Sequence, residues 1–156
     1  MEEKPTEIVI PKEKALFRMD ARGYWHNANG RFRVKRIIDH FNRSIHRDAA
    51  GYFVSQVNGD RIEKVYFPYE DTALFVTEVH SGDPLRLTLN TGEELPLRPE
   101  ALFVQEDSLY LARGEERIKF NERSLMRMAE RIEEEGGGWV LCIAGRRHPI
   151  RPLPRH

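Results

Sequence analysis

Residues 52–67 read Tyr52-Phe53-Val54-Ser55-Gln56-Val57-Asn58-Gly59-Asp60-Arg61-Ile62-Glu63-Lys64-Val65-Tyr66-Phe67. Aromatic and β-branched residues fill both halves, and such side chains suit a pleated, half-buried surface. Between the halves, Asn58-Gly59 accepts positive φ at the centre of a tight turn, matching the twist of an antiparallel pair. This stretch therefore predicts a β-hairpin. Working outward, Asn29-Gly30 predicts a second hairpin joining residues 23–26 to 31–34. Ser81-Gly82-Asp83-Pro84 separates 74–79 from 85–89, and Asn90-Thr91-Gly92 turns the chain into 94–97. Leu85, Leu87 and Leu89 alternate with Arg86 and Thr88, the pattern of a strand with one face buried. The middle of the chain reads as an antiparallel meander.

Two helices interrupt this pattern. Val34, Ile37, Ile38, Phe41 and Ile45 form one apolar stripe and predict a helix over 34–47. Leu125, Met128, Ala129 and Ile132 predict another over 122–135, with Asn121 as its N-cap. Gly136-Gly137-Gly138 is expected to end it, because glycine adopts the left-handed conformation common after a helix. That order, helix then glycines then strand, is the reverse of a phosphate-binding glycine loop.

The neighbourhoods of the two helices also look alike. Ala15-Leu16-Phe17 recurs as Ala101-Leu102-Phe103, and Gly51-Tyr52-Phe53-Val54 meets Gly138-Trp139-Val140-Leu141 in pattern. The fold class expected is α+β: an antiparallel sheet with two duplicated β-β-α-β units and two main helices. Residues 1–14 read as an N-terminal extension and 15–100 as the first repeat unit with the meander. Residues 101–150 read as the second repeat unit. The Pro-rich segment 151–156 reads as a tail that cannot hold a central strand.

Composition bounds the function. The 156 residues carry 25 Lys+Arg against 25 Asp+Glu, and 40% are hydrophobic. A chain so apolar and charge-balanced is not a disordered one. No run approaches the ~20 apolar residues of a membrane helix, and no apolar region follows Met1-Glu2-Glu3-Lys4-Pro5 to make a secretory signal. A soluble, cytoplasmic protein is expected. The single cysteine, Cys142, excludes an internal disulfide. Its apolar strand neighbours suggest a buried structural thiol rather than a nucleophile. His40 and His46 are too far round one helix to share an ion, and the other histidines are isolated. Neither a metal nor a cofactor is expected, and no Gly-x-Ser-x-Gly elbow is present.

Three constellations carry candidate chemistry. Arg31, Arg33, Lys35, Arg36, Arg43 and Arg47 make a basic stretch that could contact phosphates, so a nucleic-acid binder using the first helix is one alternative. Glu63, Glu70 and Asp71, with Tyr66, Phe67 and Tyr69 among them, could do general acid–base work in a small carboxylate-dependent enzyme. Pro68-Tyr69-Glu70-Asp71 equally reads as a turn. Gly23-Tyr24-Trp25-His26 is an aromatic strand end, suited to a core or to a ligand platform.

Three stretches, taken in order, carry a family resemblance: Met19-Asp20-Ala21-Arg22-Gly23-Tyr24-Trp25-His26-Asn27-Ala28-Asn29-Gly30, then Val34-Lys35-Arg36-Ile37-Ile38-Asp39-His40-Phe41, then residues 62–76, where Glu63 leads to Glu70-Asp71. They resemble the bacterial domain of unknown function family 1285. The resemblance implies an α+β fold with repeated structural motifs and a role in ligand binding or intracellular signalling, with no established activity. It singles out Trp25, Arg36, Glu63 and Asp71 as ligand-binding positions. The second half departs from the family where Gly114-Glu115 makes a short turn before the second helix. The leading expectation is a cytoplasmic binding or regulatory module, with no catalytic residue. Its partner would be a small polar ligand or a protein, bound in a groove between the related units.

Overall fold

A computed structural model of the chain describes residues 6–154. The Asn58-Gly59 hairpin is its clearest element. β6 (Gly51–Asn58) and β7 (Arg61–Tyr66) pair from Asn58 opposite Arg61 to Phe53 opposite Tyr66. Gly59 takes φ of 66°, as the turn requires. β5 (Ile45–Asp48) pairs antiparallel with β6, and β1 (Thr6–Ile10) runs parallel to β7. Thus part of the segment read as an N-terminal extension is a sheet strand. A separate three-stranded antiparallel sheet holds β2 (Phe17–Met19), β3 (Trp25–Asn27) and β4 (Gly30–Arg31). α1 (Lys35–Arg43) follows β4. Ile45, Val54 and Val65, aligned across β5, β6 and β7, are buried, while His46 and Phe53 on the other face are not.

The chain divides after Ala73 into two compact units. The second unit contains one nine-stranded sheet. Its strands are β8 (Leu74–His80), β9 (Arg86–Leu89), β10 (Glu94–Pro96), β11 (Leu102–Gln105), β12 (Ser108–Arg113), β13 (Glu116–Phe120), β14 (Ile132–Glu135), β15 (Gly138–Ile143) and β16 (Arg146–Pro152). Their spatial order is β10-β9-β8-β13-β12-β11-β16-β15-β14. α2 (Glu122–Ala129) lies between β13 and β14 in the chain. Leu87 and Leu89 are buried and Arg86 is exposed, as the alternation predicts, with Leu85 buried just before the strand.

This corrects the expected fold class. The protein is mostly β, its helices being nine and eight residues long. The two larger sheets are mixed rather than antiparallel: β1·β7, β8·β13 and β11·β16 are parallel pairs. Two duplicated β-β-α-β units are not what the chain builds. Each helix sits between two runs of three antiparallel strands, β2-β3-β4 and β5-β6-β7 around α1, β11-β12-β13 and β14-β15-β16 around α2, and the two sets are joined differently. In the second unit β11 and β16 pair in parallel and merge everything into one sheet. At the matching place in the first unit only a single bridge forms, Met19 to Tyr69, and two sheets remain.

Both helices are also shorter than the apolar pattern suggests. α1 stops at Arg43, and Ile45 is buried from β5. α2 stops at Ala129, and Ile132 begins β14. Each isoleucine falls in helical phase while belonging to the next strand. Glu133-Glu134-Glu135 therefore lie on a strand, and Gly136 and Gly137, with φ of 61° and 82°, form the β14–β15 hairpin turn rather than a helix stop. The Pro-rich end is ordered through Pro154. Pro152 pairs beside Val104, Leu153 N–H donates to Val104 O, and Gln105 Nε2 donates to Pro154 O. Parallel pairing lets the chain skip the missing Pro152 N–H and bond through the next residue. Arg155 and His156 lie outside the described residues. Cys142, on β15, is half-buried and free rather than fully buried.

Candidate functional site

An apolar concavity of the first unit is built on its aromatic core. Trp25, on β3, is 1% exposed. Phe17, Phe41 and Phe67 meet its ring edge-on, at centroid distances of 5.6, 5.4 and 4.8 Å. Its indole N–H donates to Asn42 Oδ1 at 2.7 Å, so the one polar atom of the ring is satisfied inside α1. Phe32, just after β4, packs on Phe41 with centroids 5.1 Å apart and on Trp25 at 6.5 Å.

Above this layer the core is left open. A groove of about 480 Å³ runs between the β3–β4 hairpin and α1. Phe32, Val34, Ile37 and Phe41 give it apolar walls, and Arg31, Arg33, Asn27 and Asn29 complete its lining. Val34 is 55% exposed and Ile37 47%. Arg31 is stacked on Tyr24, its Cζ 3.9 Å from the ring centroid. Asn27 Oδ1 accepts from the Asn29 N–H at 2.9 Å and stiffens the hairpin tip. Among the described residues of α1 the one carboxylate is Asp39, and Lys35 Nζ lies 2.6 Å from it. The groove lining carries two arginines and no carboxylate.

A polar loop borders the same hairpin. Asp20 Oδ1 accepts from the Arg22 and Tyr24 N–H groups, and Asp20 Oδ2 lies 2.7 Å from His26 Nε2. Burial pushes the Asp20 carboxyl up, but the His26 hydrogen bond and those from the Tyr24 and Arg22 amides outweigh it and hold it below the ordinary value. Glu70 Oε2 accepts from the Ala21 N–H at 3.0 Å, and Glu70 Oε1 pairs with Arg18 at 3.3 Å.

The residues singled out from sequence are placed as follows. Trp25 is in the core, with its N–H taken. Arg36 is exposed in the first turn of α1. Glu63 is half-buried on β7, opposite Gln56 and beside Ile8. Asp71 is half-buried in the segment before Thr72, and Glu70 is an exposed tie for the 20–23 loop. None of the four ligand-binding candidates lines the groove. The residues that do line it, Phe32, Val34 and Ile37, are hidden from pattern reading because a helical stripe looks like core. The available signal is Arg31-Phe32-Arg33-Val34 itself, which alternates cationic and apolar side chains beside an apolar helix.

Among the described residues no group of three His, Cys, Asp or Glu side chains could hold a metal ion, and no helix is long and apolar enough to cross a membrane. Fold and site together define a mostly β protein in two units, one of which bears an open apolar groove with a cationic lining. No protein-family model and no curated protein matches the chain. Solved structures do. A DUF1285 family protein from Silicibacter pomeroyi DSS-3 is similar with a TM-score of 0.59 at 17% identity, over 94% of this chain and 83% of that one. A DUF1285 family protein from Shewanella baltica OS155 is similar with a TM-score of 0.53, also at 17% identity, over 76% of this chain and 93% of that one. The family resembled by the first-half motifs is thus the family whose fold this chain shares.

Proposed function

We propose that this chain is a cytoplasmic ligand-binding module whose working surface is the groove between β4 and α1. The ligand has an apolar body and a negatively charged group. The observation that carries this reading is the open exposure of Val34 and Ile37 over Phe32 and Phe41, next to Arg31 and Arg33. Covering apolar surface is favourable by roughly 25 cal/mol per Å². A guanidinium offers a carboxylate two parallel hydrogen bonds. Trp25 serves the site from beneath, since it and Asn42 fix the ring of Phe41 and the seat of α1. The carboxylate-enzyme alternative gains no support from Glu70, whose oxygens are engaged by Ala21 and Arg18.

Decanoate, an anionic amphiphile, tests the groove. Titrated into isotope-labelled protein, it should shift the amide signals of residues 31–41, and Ile37→Glu should abolish the effect. Shifts elsewhere, or shifts indifferent to Ile37→Glu, would remove the reading.

A further inference from the structure

We propose that the natural occupant of this groove is an extended, acidic segment of a partner protein that adds to β4 as a further strand. This rests on the groove being the binding surface and names what it binds. The first argument is the edge. β4 is the last strand of the order β2-β3-β4, and no described strand pairs with its outer side. Phe32 N–H donates inward to Trp25 O at 2.8 Å. Peptide groups alternate along a strand, so those of Arg31 point outward, and Arg33 follows just beyond the strand. No backbone partner for the Arg33 N–H or C=O occurs among the described residues.

The second argument is the setting of that edge. It runs along one side of an apolar groove whose other side is a helix. A peptide that pairs with such an edge places alternate side chains in the groove, and the backbone supplies affinity while the groove supplies selection. A fatty acid would fill the groove but leave the Arg31 and Arg33 amides unpaired.

The third argument is charge. Exposed edges are commonly short and cationic, which discourages pairing with like chains. β4 is two residues long, ends in Arg31 and is followed by Arg33, with Arg36 on α1 close behind in sequence. The one carboxylate of α1 is held by Lys35. The same device that repels a basic or identical edge admits an acidic strand, with apolar residues facing inward and carboxylates meeting the arginines.

The test uses the full chain and three probes: an eight-residue capped peptide alternating leucine and glutamate, the same peptide N-methylated along one edge, and decanoate. Amide exchange is followed residue by residue. The plain peptide should slow exchange at Arg31 and Arg33 by about tenfold or more. N-methylation should weaken binding by about tenfold, the worth of one or two lost hydrogen bonds. A leucine–lysine peptide should not bind. Decanoate binding without peptide binding, or peptide binding that leaves the Arg31 and Arg33 amides unchanged, overturns strand addition and leaves the groove reading intact. Failure of both peptide and decanoate overturns both. Equal binding of the leucine–lysine peptide overturns the charge argument and with it the proposed partner.

Discussion

The segments around α1 and α2 run through the same order of elements, yet their helices are finished differently. At the start of α2, Asn121 Oδ1 accepts from the Ser124 N–H at 2.9 Å. Ser124 Oγ then donates to Val76 O on β8 at 2.7 Å, and both Ser124 and Met128 are fully buried. These two are the buried residues of α2, and Met126 on the same helix is exposed. At the start of α1 stands Val34, in an extended conformation suited to a cap (φ −87°, ψ 110°) but with no side-chain acceptor. None of the residues of α1 is fully buried, and Ile37 is 47% exposed. A helix that lacks its cap and leaves apolar side chains open is poorly explained by stability alone. On the proposed reading, α2 serves architecture alone, while α1, whose Phe41 packs in the aromatic core, also presents the binding surface.

The largest effects should follow that division. Met128→Ala removes a fully buried side chain and should cost about 2–5 kcal/mol. Trp25→Ala, at the base of the groove, should cost about 3–5 kcal/mol. Ile37→Ala should stay within roughly 0.5 kcal/mol, as for a surface change, while weakening decanoate. Urea unfolding measures all three. If Ile37→Ala destabilised as much as Met128→Ala, α1 would be as structural as α2 and the contrast would collapse.

What sequence reveals of this molecule is what is local. Asn58-Gly59 and the alternation from Leu85 to Leu89 are legible because turn chemistry and the two-residue period act between neighbours. The meander over 74–97 is present as β8, β9 and β10, each antiparallel to the next, but the parallel pairs β1·β7, β8·β13 and β11·β16 join segments far apart in the chain and carry no local signature, so a wholly antiparallel sheet is the natural expectation and the wrong one. Ile45 and Ile132 fall in helical phase by coincidence and lengthen both helices on paper. The site suffers from the same limit. Periodicity identifies Val34 and Ile37 as apolar, but whether anything covers them depends on packing. Trp25, conspicuous in sequence, is by contrast almost wholly covered, at 1% exposure.

Caps sharpen the comparison at a smaller scale. Asn121→Ala should cost about 1 kcal/mol, since the Ser124 N–H loses its acceptor. Val34→Asn should change stability in the other direction, by up to about 1 kcal/mol, because it supplies the missing acceptor at a position already extended. The same substitution removes a groove wall, so decanoate should bind less tightly to the more stable protein. Opposite signs in the two assays are the expected result. A Val34→Asn protein that gains stability and keeps its binding would show that Val34 does not belong to the site.

The smallest effect concerns the two β-meanders that follow the helices. Each is clamped from its first strand to its third across the middle one. In the second unit Arg147 on β16 reaches Glu133 and Glu135 on β14. In the first, Asp48 on β5 takes Lys64 Nζ at 2.8 Å and the Tyr66 hydroxyl at 2.6 Å, both from β7. One clamp shares a cation between two acids, and the other shares one acid between two donors. The second arrangement stakes the clamp on a single titration. The Lys64 hydrogen bond, with that of Tyr66, holds the Asp48 carboxyl down at about 2. In the unfolded chain it titrates near ~3.9. Its stabilising contribution is therefore complete above pH ~4 and is lost as pH falls through the folded value. Amide protection on β5 should decline across that window in the wild type and show no such decline in Asp48→Asn, which starts lower. Because the clamp is solvent-accessible, added salt should shrink the difference. Identical pH profiles for the two proteins would mean that Asp48 decorates the sheet face without holding β5 to β7.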